Sequence, residues 1–294
     1  SEVIRELEWV VFDEVHYINA SERGVVWEEV LIMLPAHVKI IMLSATAPNS
    51  LEFAEWVGRI KNRRINVIGT LKRPVPLQHF LYTGTDGKTK KNRFLLVDET
   101  GKFLIDGYKK AVEAKKTKKD MQSGRGGRGG GGRGGGGGAQ RFGGRPSDKG
   151  VWTALLDHLK TEDLLPVVIF TFSRKRCDEN AAMLSATALT TAVEKLEIRG
   201  FFSRCMGRLK GSDRRLPQVT KMAELASRGL AVHHSGILPL LKETVELLFQ
   251  QGFVKVLFAT ETFAMGVNMP ARTVVFDSHE KHDGKQRRVL EPGE

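Results

Sequence analysis

The stretch VVFDEVHYIN, residues 10–19, decides how the rest of the chain is read: an apolar run stops in two adjacent acids, Asp13 and Glu14, with His16 two residues on. Such a run, apolar nearly throughout, is the pattern of a parallel strand covered on both faces. The carboxyl edge of a parallel sheet is where open α/β folds bind their ligands. An acid at that edge suits a magnesium ion, which keeps most of its water and takes one or two carboxylates plus nucleotide phosphate oxygens. On this reading Asp13 holds the metal and Glu14 polarises an attacking water. Taken alone, the pair reads as two solvated acids capping a strand before a loop, so the surrounding sequence has to decide.

Thirty residues downstream a second apolar strand ends in MLSATAPN, residues 42–49, and delivers Ser44, Ala45 and Thr46 to the same edge. Around these two runs the chain alternates short β-rich and helical stretches, the pattern of a mostly parallel sheet with crossover helices. WVVFD (9–13), KIIML (39–43) and INVIG (65–69) are the expected strands. Residues 21–34 have a helical spacing of apolar positions at Val26, Val30, Met33 and Leu34, with Ser21 as cap and Pro35 as stop. A further helix is expected after Asn49.

The character changes at about Thr83. FLLVDETGKFLI forms a hairpin on this reading, with residues 99–102 as its turn, and YKKAVEAKKTKKD is a charged helical stretch. Fourteen of the 31 glycines then fall in residues 124–144. A segment so rich in glycine cannot recover its ordering entropy by burying side chains, and it is expected to be disordered. The net charge of +12 is concentrated here: residues 109–145 hold eleven Lys or Arg against Glu113 and Asp120, a surplus of nine. The folded parts are only mildly basic, so bulk charge says little about what they bind. Arg-Gly-Gly repeats pair arginine with phosphate on a pliant backbone, which makes Arg125, Arg128 and Arg133 candidate RNA contacts. A plain flexible linker fits the same composition.

Regular structure resumes near Val151. Strands are expected at 167–172, 230–234, 255–260 and 273–277, and helices at 151–160, 175–187, 190–207, 216–228 and 239–251. In the last helix Pro239 suits the first turn, Leu241, Val245, Leu248 and Phe249 share a face, and Gly252 suits the stop. Cys177 and Cys205 are too few for a disulfide framework or a zinc site. No apolar run approaches the eighteen residues of a membrane span, and SEVIRELEW is no signal peptide. The expectation is an intracellular, reducing compartment and no membrane partner.

DEVH followed at this distance by SAT resembles the D-E-x-H box and S-A-T motif of superfamily-two helicases. FTFSRKRCDENA (170–181), HHSGILPLLKETVELLFQQG (233–252) and FATETFAMGVNMPA (258–271) resemble that family's later motifs. With ERGVVWEE and VVFDS followed by KHDG, the set is similar to the superkiller-type, or Ski2-like, DExH-box RNA helicases. That resemblance implies two RecA-like parallel-sheet lobes, the first truncated at its N-terminus and the second at its C-terminus, joined by a glycine/arginine-rich insertion. The segments are residues 1–83, 84–150 and 151–294.

The resemblance also implies ATP and Mg²⁺ as cofactors. It gives Asp13 to the metal, Glu14 to water activation, and His16, Ser44, Ala45 and Thr46 to coupling between nucleotide state and RNA grip. Thr260 falls to the nucleic-acid backbone, and Gly266 and Asn268 to the nucleotide. RNA, a superkiller-type complex and the cytoplasmic exosome are the implied partners, and the cytoplasm the implied location, with the nucleus left open. A non-catalytic RNA- or protein-binding product and a related DNA helicase are the alternatives.

The phosphate-cradling G-x-x-x-x-G-K-[ST] loop is not found in the sequence. The sole Gly-Lys-Thr, residues 87–89, has Tyr82 where the first glycine belongs and comes after the acid pair instead of preceding it. The chain also stops at VLEPGE, before the paired-arginine motif of the family. The resemblance therefore expects this 294-residue polypeptide to be unable to hydrolyse ATP by itself, because an arginine finger alone is worth about 10³–10⁵ in rate in related NTPases.

Overall fold

The computed structural model describes residues 5–19, 24–44, 49–70, 73–84, 92–123, 146–264, 269–282 and 287–290. The chain divides into two units, residues 1–75 with 292–294, and residues 76–291.

In the first unit β1 (Trp9–Phe12) and β2 (Lys39–Met42) pair in parallel with Trp9 opposite Lys39 and Phe12 opposite Met42. The helices α1 (Gly24–Met33) and α2 (Ser50–Lys61) come after the two strands in turn. Strand alternation sends Phe12 into a core with Val15, Leu31 and Val57, against which Val10, Trp27, Ile40 and Met42 also pack. The Phe12 and Trp27 rings lie 5.6 Å apart. The Lys61 ammonium donates to the Leu34 carbonyl at 2.7 Å, satisfying an acceptor just past the end of α1.

Three expectations change here. Val26, Val30 and Met33 are exposed, and Leu31, Trp27 and Leu34 face the core. The run VVWEEVLIML is apolar on every side of the helix, so spacing alone does not single out its buried face. Residues 65–69 form no strand; Ile65 alone packs on the core. Val11 and Ile41 are exposed, so among the described residues β1 and β2 are covered on one face only. Ser21 lies outside the described residues.

The second unit opens with an antiparallel hairpin of β3 (His79–Tyr82) and β4 (Arg93–Val97), bulged between His79 and Phe80. β3 thus falls in the second unit, although the sequence places it in the 1–83 segment. After β4 the chain turns at residues 98–102, where Asp98 Oδ1 accepts from the Thr100 and Lys102 backbone N–H groups and the Thr100 hydroxyl, and Phe103 bridges back to Val97. The helix α3 (Ile105–Ser123) packs on β4 through Gly107: a Cβ there would lie 1.8 Å from the Leu95 carbonyl oxygen. Residues 124–145, with Arg125, Arg128 and Arg133, lie outside the described residues.

Beyond them runs an α/β succession: α4 (Pro146–Thr161), β5 (Val167–Phe170), α5 (Arg174–Met183), α6 (Ala192–Met206), α7 (Pro217–Ser227), β6 (Leu230–His233), α8 (Pro239–Gln250), β7 (Val256–Ala259) and β8 (Thr273–Phe276). The four strands pair in parallel in the order β6-β7-β5-β8, and a short antiparallel pair, β9 (Glu280–His282) and β10 (Arg287–Val289), comes next. Every residue of β6 and β7 is buried, as continuous apolar strands inside an α/β fold are. Leu241, Val245, Leu248 and Phe249 of α8 are fully buried on one face, with Pro239 in the first turn. Gly252 ends that helix at φ +74°, and its N–H returns to the Phe249 carbonyl.

Candidate functional site

The acid pair stands where its strand runs out. β1 buries Phe12 and so points Asp13 outward; Glu14 then takes φ +52°, reversing the chain into a 3-10 turn, Val15–Asn19, and dropping Val15 into the core. A left-handed conformation at a non-glycine residue costs about 1–3 kcal/mol and persists only where its surroundings hold it. Here they do. Val15 N–H donates to the Leu43 carbonyl at 2.9 Å, Leu43 N–H to the Phe12 carbonyl at 2.8 Å, and Glu14 N–H to Asp13 Oδ1 at 2.9 Å. His16 Nδ1 lies 3.3 Å from Glu14 Oε2. Asp13, Glu14 and His16 are thereby locked beside Ser44, the exposed residue just past β2. Ala45 and Thr46 lie outside the described residues, as do residues 87–89.

In the second unit, the carboxyl ends of four parallel strands present a second edge. β6 ends in His233, followed by His234; after β7 comes Thr260; after β5, Thr171 and Ser173; after β8, Asp277. Thr260 N–H donates to the His233 carbonyl at 3.2 Å, and Phe263 N–H to the Thr260 carbonyl at 3.1 Å, which sets a 3-10 turn, Glu261–Ala264. Gly266 and Asn268 lie just past that turn, outside the described residues.

His233 Nε2 donates to Glu246 of α8 at 2.7 Å, and its ring meets Phe263 edge-on at 4.8 Å. Burial holds the His233 imidazole below its ordinary value of 6.5, against the opposing pull of Glu246. His234 is likewise lowered by burial, against Asp178, whose Oδ2 is 3.4 Å from Nε2. Burial thus favours the neutral form of both rings.

Other residues of this edge lie within the motifs but receive no individual role from them. Asp277 is 11% exposed, pairs with Arg176 at 2.7 Å and lies 3.4 Å from the Asn180 amide. Ser173 caps α5 by accepting from Arg176 N–H, and the Thr171 hydroxyl donates to the Ser173 carbonyl at 3.0 Å. Cys177, buried beside Thr171, has its thiol pushed up to about 11 by burial, which makes it inert. Gln218, at the start of α7, grips the loop after β6 from both ends of its amide: Nε2 donates to the Gly236 carbonyl at 2.9 Å and Oε1 accepts from Leu238 N–H at 3.0 Å. A cavity of about 240 Å³ opens beside this clamp, lined by Asp178, Gln218, Lys221 and Ile237 among others.

A model of the DEAD/DEAH box helicase family matches residues 1–54, the span that carries the acid pair and the strand to Ser44. Superkiller complex protein 2 of Mus musculus is 61% identical over 294 residues, covering the whole chain and 23% of that relative. Along its whole length the chain is similar to the Ski2-like DExH-box helicases. Antiviral helicase SKI2 of Saccharomyces cerevisiae is 46% identical and Exosome RNA helicase MTR4 of Homo sapiens 43% identical, each across the whole chain and about a quarter of its own length. The chain thus spans about a quarter of the curated relatives it matches, and the alignments include the glycine-rich segment, where the motifs gave no resemblance.

Similarity to the DExH-box helicases would imply ATP use, typically with Mg²⁺. Asp13 fits such an ion: exposed, at a sheet edge, and with no side-chain cation at hydrogen-bond distance among the described residues. Among the described residues no group of three His, Cys, Asp or Glu gathers to hold a metal. An ion held mostly by water and phosphate oxygens needs only one or two carboxylates.

Proposed function

We propose that the protein is an ATP-dependent RNA helicase whose two units are RecA-like lobes, the first carrying the hydrolytic acids and the second an RNA-contacting edge. The observation that carries this reading is the pair of backbone bonds Val15 N–H to Leu43 and Leu43 N–H to Phe12, which fastens the acid-bearing turn to the strand leading into Ser44. A shift of either loop must move the other. That is what coupling of nucleotide state to RNA grip requires, with Asp13, Glu14 and His16 on one side and Ser44, Ala45 and Thr46 on the other.

Mg²⁺, when bound, neutralises charge on the phosphates in transfer. Asp13 is the carboxylate that holds it, Glu14 the base that orients water, and His16 the group that steadies Glu14. Thr260 contacts the RNA backbone, Gly266 and Asn268 the nucleotide, and Arg125, Arg128 and Arg133 add salt-sensitive RNA affinity. By kinship with proteins named for the superkiller complex and the exosome, the activity serves 3′-to-5′ RNA decay in the cytoplasm, with a superkiller-type complex and the exosome as partners. The 294-residue polypeptide alone, whose sequence holds no phosphate-cradling lysine loop, is inactive.

The test is RNA-stimulated phosphate release by the full-length protein and by the 294-residue polypeptide. Turnover by the first and none by the second is the expected result. Turnover by the short polypeptide would contradict its inactivity, and none by the full-length protein would contradict the enzyme reading.

A further inference from the structure

We propose that residues 207–216, between α6 and α7, are a second RNA-backbone contact in which Arg208, Lys210 and Arg215 grip phosphates beyond the sheet edge. This rests on the reading of that edge as an RNA site. Residues 204–217 hold five Lys or Arg against one acid, Asp213. Arg208, Lys210 and Arg215 are exposed and make no ion pair or side-chain hydrogen bond with any described residue.

Their loop is nevertheless fixed. Arg214, the fourth cation of the loop, turns inward: its Nη2 donates to the Gly207 carbonyl at 2.5 Å and its Nε to the Leu209 carbonyl at 3.0 Å. Those bonds satisfy acceptors left over at the end of α6. A 3-10 turn, Asp213–Arg215, then leads into α7. One arginine holds the backbone, and the other three cations face solvent on a scaffold whose shape costs little further entropy on binding.

The position of the loop selects its partner. α6 starts at the amino-terminal end of the sheet, where Glu194 bonds Lys255 just before β7, and its last turn delivers the loop to the opposite end. There Gln218, two residues past the loop, clamps Gly236 and Leu238 directly after His234. The cations are therefore continuous with the edge that bears Thr260, outboard of β6, the border strand of the sheet. An extended polyanion crossing the strand ends meets this loop next, and a nucleic-acid backbone is such a polyanion.

The test uses the full-length protein and a fluorescein-labelled single-stranded oligouridylate, with binding monitored by anisotropy across a salt series. Each phosphate contact to a single strand contributes about 0.7 to the slope of log affinity against log salt. Arg208→Ala/Lys210→Ala/Arg215→Ala should make the slope shallower by about 2 and weaken low-salt binding roughly tenfold or more. Its melting temperature should not change, because Arg214 stays. Lys160→Ala/Lys195→Ala, at the amino-terminal end of the strands, should leave the slope as it is. An unchanged slope in the triple variant, or an equal loss per charge in the double variant, overturns the proposal while leaving the edge site standing. Absence of RNA binding by the unsubstituted protein overturns the RNA reading as a whole.

Discussion

Two strand ends of almost the same sequence, WVVFD at 9–13 and TVVFD at 273–277, finish in aspartates with opposite surroundings. Asp13 is exposed and, among the described residues, accepts only from its neighbour's N–H. Asp277 is 11% exposed and engaged by Arg176 and Asn180 of α5. The difference lies in the chain just past the neighbouring strand. After β5 the chain enters α5 at once, capped by Ser173, and the first turns of that helix carry a cation and an amide to the β8 end. After β2 the chain continues into the S-A-T run. The same local sequence thus yields an open carboxylate in one unit and a structural one in the other, and a strand-terminal acid marks a ligand site only where no helix reaches across to occupy it.

The comparison breaks most visibly at the chemistry. Glu14→Gln in the full-length protein should lower RNA-stimulated ATP hydrolysis by about 10²-fold or more, the usual contribution of a positioned base. Its melting temperature should stay put, since the side chain is half exposed. A fall of less than tenfold in phosphate release would return Glu14 to the role of a solvated acid.

A second effect belongs to the other acid. Asp277→Ala should cost about 1–3 kcal/mol in urea unfolding, the range for a hydrogen-bonded charge. A double-mutant cycle with Arg176→Ala should recover part of that as coupling. No measurable coupling would mean that the pair is only a surface contact.

His233 and His234 sharpen the contrast through pH. Both are held below 6.5 in the folded chain, so the unfolded chain binds protons first as pH falls. The stability they support is complete above about pH 6.5 and declines as pH drops through and below that value. Melting curves at pH 7.5 and 5.5 should show the second unit losing stability, and His233→Gln/His234→Gln should flatten that decline.

The smallest effects are at the helix starts. Thr191 and Glu194 form a reciprocal capping box at 3.2 and 2.7 Å, with Lys255 on the same carboxylate. Thr191→Ala should cost about 1 kcal/mol. Asn49, which makes no side-chain cap bond, should tolerate Ala with a few tenths at most.

Legibility in the sequence divides along the same line. Four strands and five helices of the second unit stand within a few residues of where the sequence puts them, because α7 and α8 each carry one apolar face and the strands are apolar nearly throughout. In the first unit α1 is apolar all round, and only the packing of Leu31 and Trp27 shows which side is inside. INVIG has the composition of a strand without a pairing partner among the described residues. The acid pair is readable because two strand-end motifs thirty residues apart reinforce one another. Asp277, Gln218 and Arg214 are not: each acts through a partner known only once the chain is folded, 97 residues away for Asn180 and 18 for Gly236. The near-identity of WVVFD and TVVFD is the available hint for Asp277.

The most direct test sets the two aspartates side by side in the full-length protein, Asp13→Asn against Asp277→Asn, with RNA-stimulated ATP turnover and thermal melting measured on each. Asp13→Asn should abolish turnover at an unchanged melting temperature, and Asp277→Asn should lower the melting temperature while the folded fraction still turns over. The opposite pattern, turnover surviving without Asp13 or stability indifferent to Asp277, would contradict the account.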